Sequence, residues 1–207
     1  MPIKNDREYR FLGQLELRAE GERVTVVGYA STFEPYLLYE DRESGYQWYE
    51  QIMPDAFAET DMSDVVFLKD HTGTVLARTK NGALKLETDA HGLLTKTDLT
   101  RTAAAREMLE EIKVGNYTQM SFSFVVANAG DRFVEEGLRI TRYIDKIQKL
   151  YDVSAVAFPA NPGTDIGVSY RDLFNGVIEA REAERLKAIR SRELLKLKLR
   201  IAKERNK

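Results

Sequence analysis

Short runs in which apolar and polar residues alternate fill most of the first 176 residues, and this pattern constrains the fold more than any other feature. In FLGQLELRA the apolar residues Phe11, Leu15 and Leu17 alternate with polar ones, which is typical of a strand with one buried face. Gly21 follows this run and predicts a hairpin to the next one. Strands are likewise predicted at RVTVVGYAS, VVFL, GALKLET, GLLTKTDL, TQMSFSFVV, LRITRYID and LYDVSAVAFPA.

A single helix is predicted inside this region, in the segment TRTAAAREMLEEIKVG. A threonine near its start can cap the first turn, Lys113 suits the last turn, and Gly115 marks its end. Seven or more short strands with one helix predict an α+β fold, in which residues 1–176 form a β-rich, barrel-like domain with few helices.

The chain changes character after Gly176. Residues 177–207 have no glycine or proline and are rich in alanine, leucine, glutamate, lysine and arginine, so they predict a C-terminal helical tail. This tail carries 11 basic and 5 acidic residues, whereas residues 1–176 carry 20 basic and 28 acidic ones. The apolar positions of the tail are spaced too irregularly for a coiled coil.

Composition excludes several classes of function. The net charge of −2 gives the whole chain no electrostatic preference for nucleic acid or an anionic membrane. The absence of cysteine excludes disulfides, thiolate zinc sites and cysteine nucleophiles, and no apolar run is long enough for a signal peptide or membrane span. Phosphate-binding, dinucleotide-binding and zinc-protease motifs are also missing, so we expect a cytosolic protein with no metal and no cofactor.

The two histidines are the first candidates for acid–base chemistry, because histidine is the commonest general base near neutral pH. His91 lies in a predicted turn and is interpreted as a solvated polar residue. His71 follows an apolar strand, where a rigid scaffold can present a side chain to a site. A structural, hydrogen-bonded histidine is the alternative at that position.

Ser121 and Ser123 share one face of the strand TQMSFSFVV, opposite the face formed by Met120, Phe122 and Phe124. The large apolar face must lie in the core. The two serines are therefore either small polar residues on a partly exposed face or candidate nucleophiles. A serine hydroxyl is a weak nucleophile until an imidazole takes its proton.

Asp152 lies in the strand of KLYDVSAVAFPANP, where strict alternation places it on the same face as Leu150 and Ser154. An ionised carboxylate beside large apolar groups needs a partner. Either a salt bridge with Arg139 or Arg142 on a neighbouring strand or a catalytic role satisfies this requirement. The residues alone thus indicate a β-rich domain with one possible site.

A series of ordered motifs lies between Val26 and Ile166: GYASTFE at 28–34, IMPDAF at 52–57, FLKDH at 67–71, LKLETDAHGLLTKTDL at 84–99, REMLEEIKVG at 106–115, QMSFSF at 119–124 and LYDVSAVAFPANP at 150–162. In order and spacing this series resembles the prohead proteases of tailed bacteriophages, the serine peptidases that mature capsids. The resemblance implies a fold related to that of the herpesvirus maturation protease, a β-barrel with helices and a site on its outer surface.

Carried over residue by residue, the resemblance implies a catalytic triad of His71 as base, Ser121 as nucleophile and Asp152 as the orienting acid. The sequence departs from the family pattern at three positions. Asp152 replaces the usual glutamate, Ser123 replaces a glycine, and Asp55 replaces another glycine. Ser123 is the rival nucleophile because it shares a face with Ser121, and Ser154 is a more distant one.

The implied function is a serine endopeptidase that cleaves the scaffolding segment of the major capsid protein, and itself, inside the assembling prohead in the host cytoplasm. The implied partners are the capsid protein and a second copy of the chain, a dimer by analogy, with no nucleic acid and no membrane. The basic tail is expected either to bind a scaffold helix, and then to be removed by self-cleavage, or to dock on its own domain.

The alternative to a serine endopeptidase is a catalytically inactive capsid-assembly scaffold protein with the protease fold. A nucleic-acid-binding module is disfavoured, because glutamates interrupt the basic tail and no aromatic residue lies in it.

Overall fold

The computed structural model describes residues 7–20, 23–41 and 44–157, together with Leu186, Lys187 and Arg190. In this part of the chain the alternating runs form twelve strands. They are β1 (Glu8–Glu20), β2 (Arg23–Thr32), β3 (Tyr36–Glu40), β4 (Gln47–Ile52), β5 (Val66–Lys69), β6 (Thr72–Arg78), β7 (Leu84–Thr88), β8 (Gly92–Asp98), β9 (Gln119–Val126), β10 (Asp131–Glu136), β11 (Arg139–Ile144) and β12 (Ile147–Val156). Short 3₁₀ helices span Pro54–Phe57 and Thr79–Asn81.

The α-helix α1 (Ala103–Lys113) begins and ends where its sequence signals predict. The hydroxyl of Thr102 accepts a hydrogen bond from the amide of Ala105 at 3.1 Å, so it caps the first turn. Lys113 lies in the last turn, and Gly115 follows with a positive φ of 82°, which glycine adopts without strain.

The strands form two open sheets. The larger has eight strands in the order β6-β5-β12-β9-β1-β2-β8-β7, and the smaller has four in the order β10-β11-β4-β3. The β-rich α+β class with few helices is confirmed, but the described strands do not close into a barrel. The edge strands β6 and β7 are instead joined by the 3₁₀ helix Thr79–Asn81, and α1 packs against β6.

The core lies against the apolar face of β9. Met120, Phe122 and Phe124 are fully buried, and the last two rings stack with their centroids 4.8 Å apart. This is the face that the period-2 pattern predicts. The apolar stripe of α1 packs into the same cluster through Met108 and Ile112. Burial of one face of β9 in this core fixes the direction of the serine side chains, which lie on the other face.

A buried cluster of ionised side chains links β1 to the smaller sheet. Arg10 of β1 pairs with Glu50 of β4, and Arg142 of β11 pairs with Glu50 and with Glu8 of β1. Burial would raise the pKa of Glu8, but the two arginines outweigh it and lower that pKa to about 2. Each charge of this cluster therefore has a partner of opposite sign.

The predicted domain boundary at residue 176 and most of the tail lie outside the described residues. Leu186, Lys187 and Arg190 are helical and exposed. None of the helices in the described part of the chain is long and apolar enough to cross a membrane.

Candidate active site

His71 lies in a two-residue turn of the larger sheet. Lys69 at the end of β5 pairs with Thr72 at the start of β6, so Asp70 and His71 alone form the turn between them. Both turn residues have positive φ, 48° for Asp70 and 58° for His71, as the type I′ turn of a two-residue hairpin requires. Left-handed backbone at non-glycine residues is strained and is held by its surroundings. The turn therefore aims the imidazole in one direction.

Ser121 and Asp152 come to this turn from neighbouring strands. β12 lies between β9 and β5, antiparallel to the first and parallel to the second. Ser123 is opposite Asp152, and Ser121 is opposite Ser154, so these four side chains share one face of the sheet. Sheet order thus brings together residues that are 50 and 81 positions apart from His71 in the chain.

The face of Asp152 differs from the one that strict alternation predicts. The ladder between β9 and β12 shifts between Leu150 and Asp152, because a bulge adds one residue to β12. Leu150 is therefore opposite Phe124, on the core side, while Asp152 is opposite Ser123. The prediction that Leu150 and Asp152 share a face is wrong for this reason.

The three side chains form a chain of hydrogen bonds. His71 Nδ1 lies 2.6 Å from Asp152 Oδ1, and His71 Nε2 lies 2.5 Å from Ser121 Oγ. Asp152 and Ser121 are fully buried, and only 11% of the His71 side chain is exposed. Base and nucleophile are thus within hydrogen-bond reach, and a carboxylate holds the far side of the ring.

Four groups surround the carboxylate of Asp152. Oδ1 faces His71 and accepts from Ser154 Oγ at 2.8 Å, and Oδ2 accepts from Ser123 Oγ and from Arg7 Nη2. Burial would raise the pKa of Asp152, but the bond and charge of His71 and the two serine hydroxyls outweigh it and lower that pKa. Asp152 therefore stays ionised beside the imidazole.

The rival serines contact the carboxylate. Ser123 Oγ donates to Asp152 Oδ2 and accepts from Arg7 Nε at 3.0 Å. Ser154 Oγ lies 3.2 Å from His71 Nδ1, on the ring nitrogen that faces Asp152 and away from Nε2. Of the three serines on this face, Ser121 is the one whose oxygen the structure places at His71 Nε2.

Sequence reasoning missed the part played by the start of β1. Arg7 pairs with Asp152, whereas of the two arginines suggested above Arg142 binds Glu8, Glu50 and Asp131 and Arg139 donates to Thr141. The Tyr9 ring meets the His71 ring edge to face, with centroids 4.7 Å apart. Arg7 and Tyr9 alternate along the chain, which signals a shared face, but the sequence carries no sign that β1 pairs with β9.

The hydroxyl of Ser121 has a second partner from β1. Ser121 Oγ lies 2.8 Å from the backbone carbonyl of Arg10, which can accept the one hydroxyl hydrogen in place of His71 Nε2. A partly exposed serine face was expected, on the outer surface that the resemblance implies, but Ser121 has no exposed surface. The expectation fails because β1 pairs beside β9, so that the side chains of Arg7 and Tyr9 lie on the serine face and the Arg10 carbonyl contacts Ser121 from the side.

His91 lies apart from this site, at the turn between β7 and β8. It is exposed, as predicted for a polar turn residue, and its ring lies edge-on to that of Tyr29 with the centroids 4.4 Å apart.

A cleft of about 310 Å³ borders the His71 turn, between β6 and α1, and is lined by residues such as Asp70, Thr72 and Glu107. Across the residues that the structure describes, no three acidic or histidine side chains are grouped to hold a metal ion.

Comparison with known proteins gives one match. The family model described as caudovirus prohead serine protease matches residues 13–176, which is well over half of the chain. No curated protein and no solved structure matches it. The matched segment contains His71, Ser121 and Asp152, and it leaves out Arg7 and Tyr9.

Proposed function

The chain belongs to the caudovirus prohead serine protease family, and from this premise we propose that it is a serine endopeptidase in which Ser121, His71 and Asp152 are the catalytic residues. One observation carries the proposal. His71 lies between a serine hydroxyl at 2.5 Å from one ring nitrogen and a carboxylate at 2.6 Å from the other. This is the arrangement that activates a serine for acyl transfer.

In the proposed reaction His71 Nε2 takes the Ser121 proton as Oγ bonds to the peptide carbonyl carbon. The imidazolium then returns that proton to the leaving amine as the peptide bond breaks, and an acyl-enzyme remains on Ser121. Water, deprotonated by His71 in its turn, attacks the acyl carbon; the bond to Ser121 Oγ breaks, His71 returns the proton to Oγ, and the acid is released. The ionised Asp152 holds Nδ1–H and stabilises the imidazolium in both halves of the reaction.

Ser123 and Ser154 act in this scheme as positioning residues for Asp152. Each donates a hydrogen bond to the carboxylate, one to each oxygen. Aspartate is one methylene shorter than glutamate, so its carboxylate needs anchoring if it is to reach His71. Two buried donors supply that anchoring and offset the cost of burying the charge.

The substrates that we propose are the scaffolding segment of the major capsid protein and the protease itself, cleaved inside the assembling prohead. Membership of the family supports a role in capsid maturation. The proposal adds which proteins are cut: the capsid protein's scaffolding segment and the protease. The homo-oligomer and the scaffold-binding tail at 177–207 stay predictions. Expression of residues 1–176 without the tail tests whether the tail brings the protease into the prohead by binding the scaffold. If the shortened protein is incorporated into proheads as well as the full chain, the tail has no such role.

A catalytically inactive assembly protein is the second candidate, and one observation favours it. Ser121 is fully buried, and its hydroxyl contacts the carbonyl of Arg10. A peptide substrate cannot reach an atom without exposed surface. Under this candidate the three side chains are a structural relic of an ancestral protease.

Intact mass spectrometry of the chain coexpressed with its capsid protein decides between the two candidates. We expect defined fragments with the wild type and none with Ser121→Ala, because the variant lacks the attacking oxygen. Ser123→Ala is the comparison variant, since it removes a like hydroxyl two residues away on the same face; it should still give the fragments, only more slowly, because Ser123 positions Asp152 and does not attack. Uncut masses from wild type and both variants, with shells still assembled, would support the inactive protein instead.

A further inference from the structure

The first strand is built in two parts that pair with different neighbours. Residues 15–20 pair with β2, whereas residues 8–14 pair with β9, on the other side of β1. The ladder with β9 is itself interrupted between Phe11 and Gly13. Among the described strands none pairs with the second edge of residues 8–11. The start of β1 is thus held by one ladder and can leave β9 without breaking the β1–β2 hairpin.

This segment closes the proposed active site. The carbonyl of Arg10 lies 2.8 Å from Ser121 Oγ, on the atom that has to attack a substrate. A hydroxyl has one hydrogen, and both this carbonyl and His71 Nε2 compete for it. The backbone of residues 8–11 therefore lies beside the nucleophile along β9, and one of its carbonyls contacts the attacking hydroxyl.

The side chains of the same segment fill the rest of the site. Tyr9 packs its ring against His71, and the guanidinium of Arg7 binds Ser123 and Asp152 and lies 4.5 Å from the ring centroid of Tyr151. A cation bound to Asp152 also weakens the attraction of that carboxylate for the imidazolium that His71 has to become. The closed arrangement thus both blocks access and opposes the proton transfer.

We propose that residues 8–11 occupy the strand position that an extended peptide substrate takes beside β9, and that the structure is an autoinhibited form which opens when this segment leaves. The inference rests on the proposed function. An extended peptide can replace the segment strand for strand, because the ladder on β9 uses backbone groups that any sequence supplies. The carbonyl of Arg10 then marks the region in which a substrate carbonyl has to lie.

The anchor of this segment lies on its other face. Arg10 is buried against Glu50, and Glu8 receives two hydrogen bonds from Arg142. When the segment leaves, Arg10 and Glu8 return to water, which offsets much of the lost attraction, while Glu50 and Arg142 stay behind and keep each other as partners. Ion pairs of this kind hold the closed form in place without making opening prohibitive.

The test measures how fast a fluorophosphonate probe labels the full-length protein. The probe forms a phosphorus–oxygen bond at Ser121 and releases fluoride, while His71 takes the hydroxyl proton, so it reports both access and activation. Arg7→Gln combined with Tyr9→Ala removes the two side chains by which the segment contacts Asp152 and His71. Because a closed form with a small open population reacts in proportion to that population, we expect labelling to rise by about tenfold or more.

Two controls accompany the double variant. Arg18→Gln changes an exposed arginine in the half of β1 that pairs with β2, and we expect it to leave the rate unchanged. Ser121→Ala must abolish the labelling. A synthetic peptide with the sequence of residues 7–14, REYRFLGQ, should slow labelling of the double variant by occupying the vacated edge of β9.

The outcomes separate this inference from the proposed function. Equal labelling of Ser121 in wild type and double variant, with unchanged melting temperatures, would overturn autoinhibition and leave the protease intact. If hydrogen exchange shows that residues 8–11 have opened in the double variant and Ser121 is still labelled in neither the wild type nor that variant, both the protease and the inference are overturned. If the double variant does not fold, hydrogen exchange of the wild type decides. The amides of residues 8–11 that bond to β9 must then exchange faster than those of residues 15–18, and equal protection would refute separate opening.

Discussion

Replacing Asp152 by asparagine preserves the shape of the side chain, and the groups around it dictate how the new amide is oriented. Oδ2 accepts from Arg7 and Ser123, and the guanidinium of Arg7 can only donate. The amide oxygen of Asp152→Asn must therefore face Arg7, so that its NH₂ group faces His71. His71 Nδ1 then becomes an acceptor, and the ring proton moves to Nε2, which points at Ser121.

A ring protonated at Nε2 cannot take the proton of Ser121. A wrong tautomer of this kind lowers the rate by about 10⁴-fold in serine proteases, which at about 1.36 kcal/mol per decade corresponds to roughly 5.5 kcal/mol of transition-state stabilisation. The native carboxylate has the opposite effect. Its lowered pKa keeps Asp152 ionised, and an ionised carboxylate holds the ring proton on Nδ1. We therefore expect Asp152→Asn to lose about 10⁴-fold in acylation rate.

The assay is the second-order rate of fluorophosphonate labelling at Ser121, followed by intact mass across the pH range in which the protein stays folded. Asp55→Asn is the matched control, since Asp55 is exposed in the 3₁₀ helix Pro54–Phe57 and lies outside the site. An Asp152→Asn variant that labels within about tenfold of the wild type, with an unchanged melting temperature, would refute the tautomer argument.

Three further predictions concern the surroundings of the site. Ser123→Ala should slow labelling by roughly 10- to 100-fold, because it removes one hydrogen bond to a charged group worth about 1.5–3 kcal/mol, and complete loss would instead identify Ser123 as the nucleophile. Glu50→Gln should lower the free energy of urea unfolding by about 1.5–3 kcal/mol, since Arg10 and Arg142 each lose one charged partner and keep Glu8, whereas the exposed Glu16→Gln should change it by less than about 0.5 kcal/mol. The pKa of Glu8 falls from 4.5 to about 2 on folding, so its contribution of about 3 kcal/mol is present above pH 4.5 and lost as the pH falls towards 2. Urea unfolding of Glu8→Gln should show a smaller loss over that interval, and equal pH profiles would contradict this assignment.

Much of the local structure could be predicted because it depends on neighbours in the chain. Thr102, Lys113 and Gly115 bound α1, since capping and chain termination are decided within one turn. β7 and β8 pair for the same local reason, because a short turn leaves two adjacent strands little choice of partner. The described strands do not form the closed barrel that the resemblance implies, since closure depends on which distant edges meet, and the edge strands β6 and β7 are not paired with each other.

Residue patterns alone left the candidate site open at three points. Ser121 and Ser123 are equivalent by alternation, and only the position of His71 Nε2 distinguishes them. The bulge between Leu150 and Asp152 reverses the face that alternation predicts, and an inserted residue in a ladder leaves no pattern in one strand. The resemblance named His71, Ser121 and Asp152, but it did not include Arg7.

Local patterns in the chain dictate which segments become strands or helix, and which face of β9 is buried in the core. These properties follow from periodicity and caps, which act over a few residues. Tertiary structure alone decided that β12 lies between β5 and β9, that Arg7 binds Asp152, and that the carbonyl of Arg10 covers Ser121. The physical reason is that backbone hydrogen bonds between strands are the same for every residue type, so the choice of partner strand depends on the packing of the whole sheet.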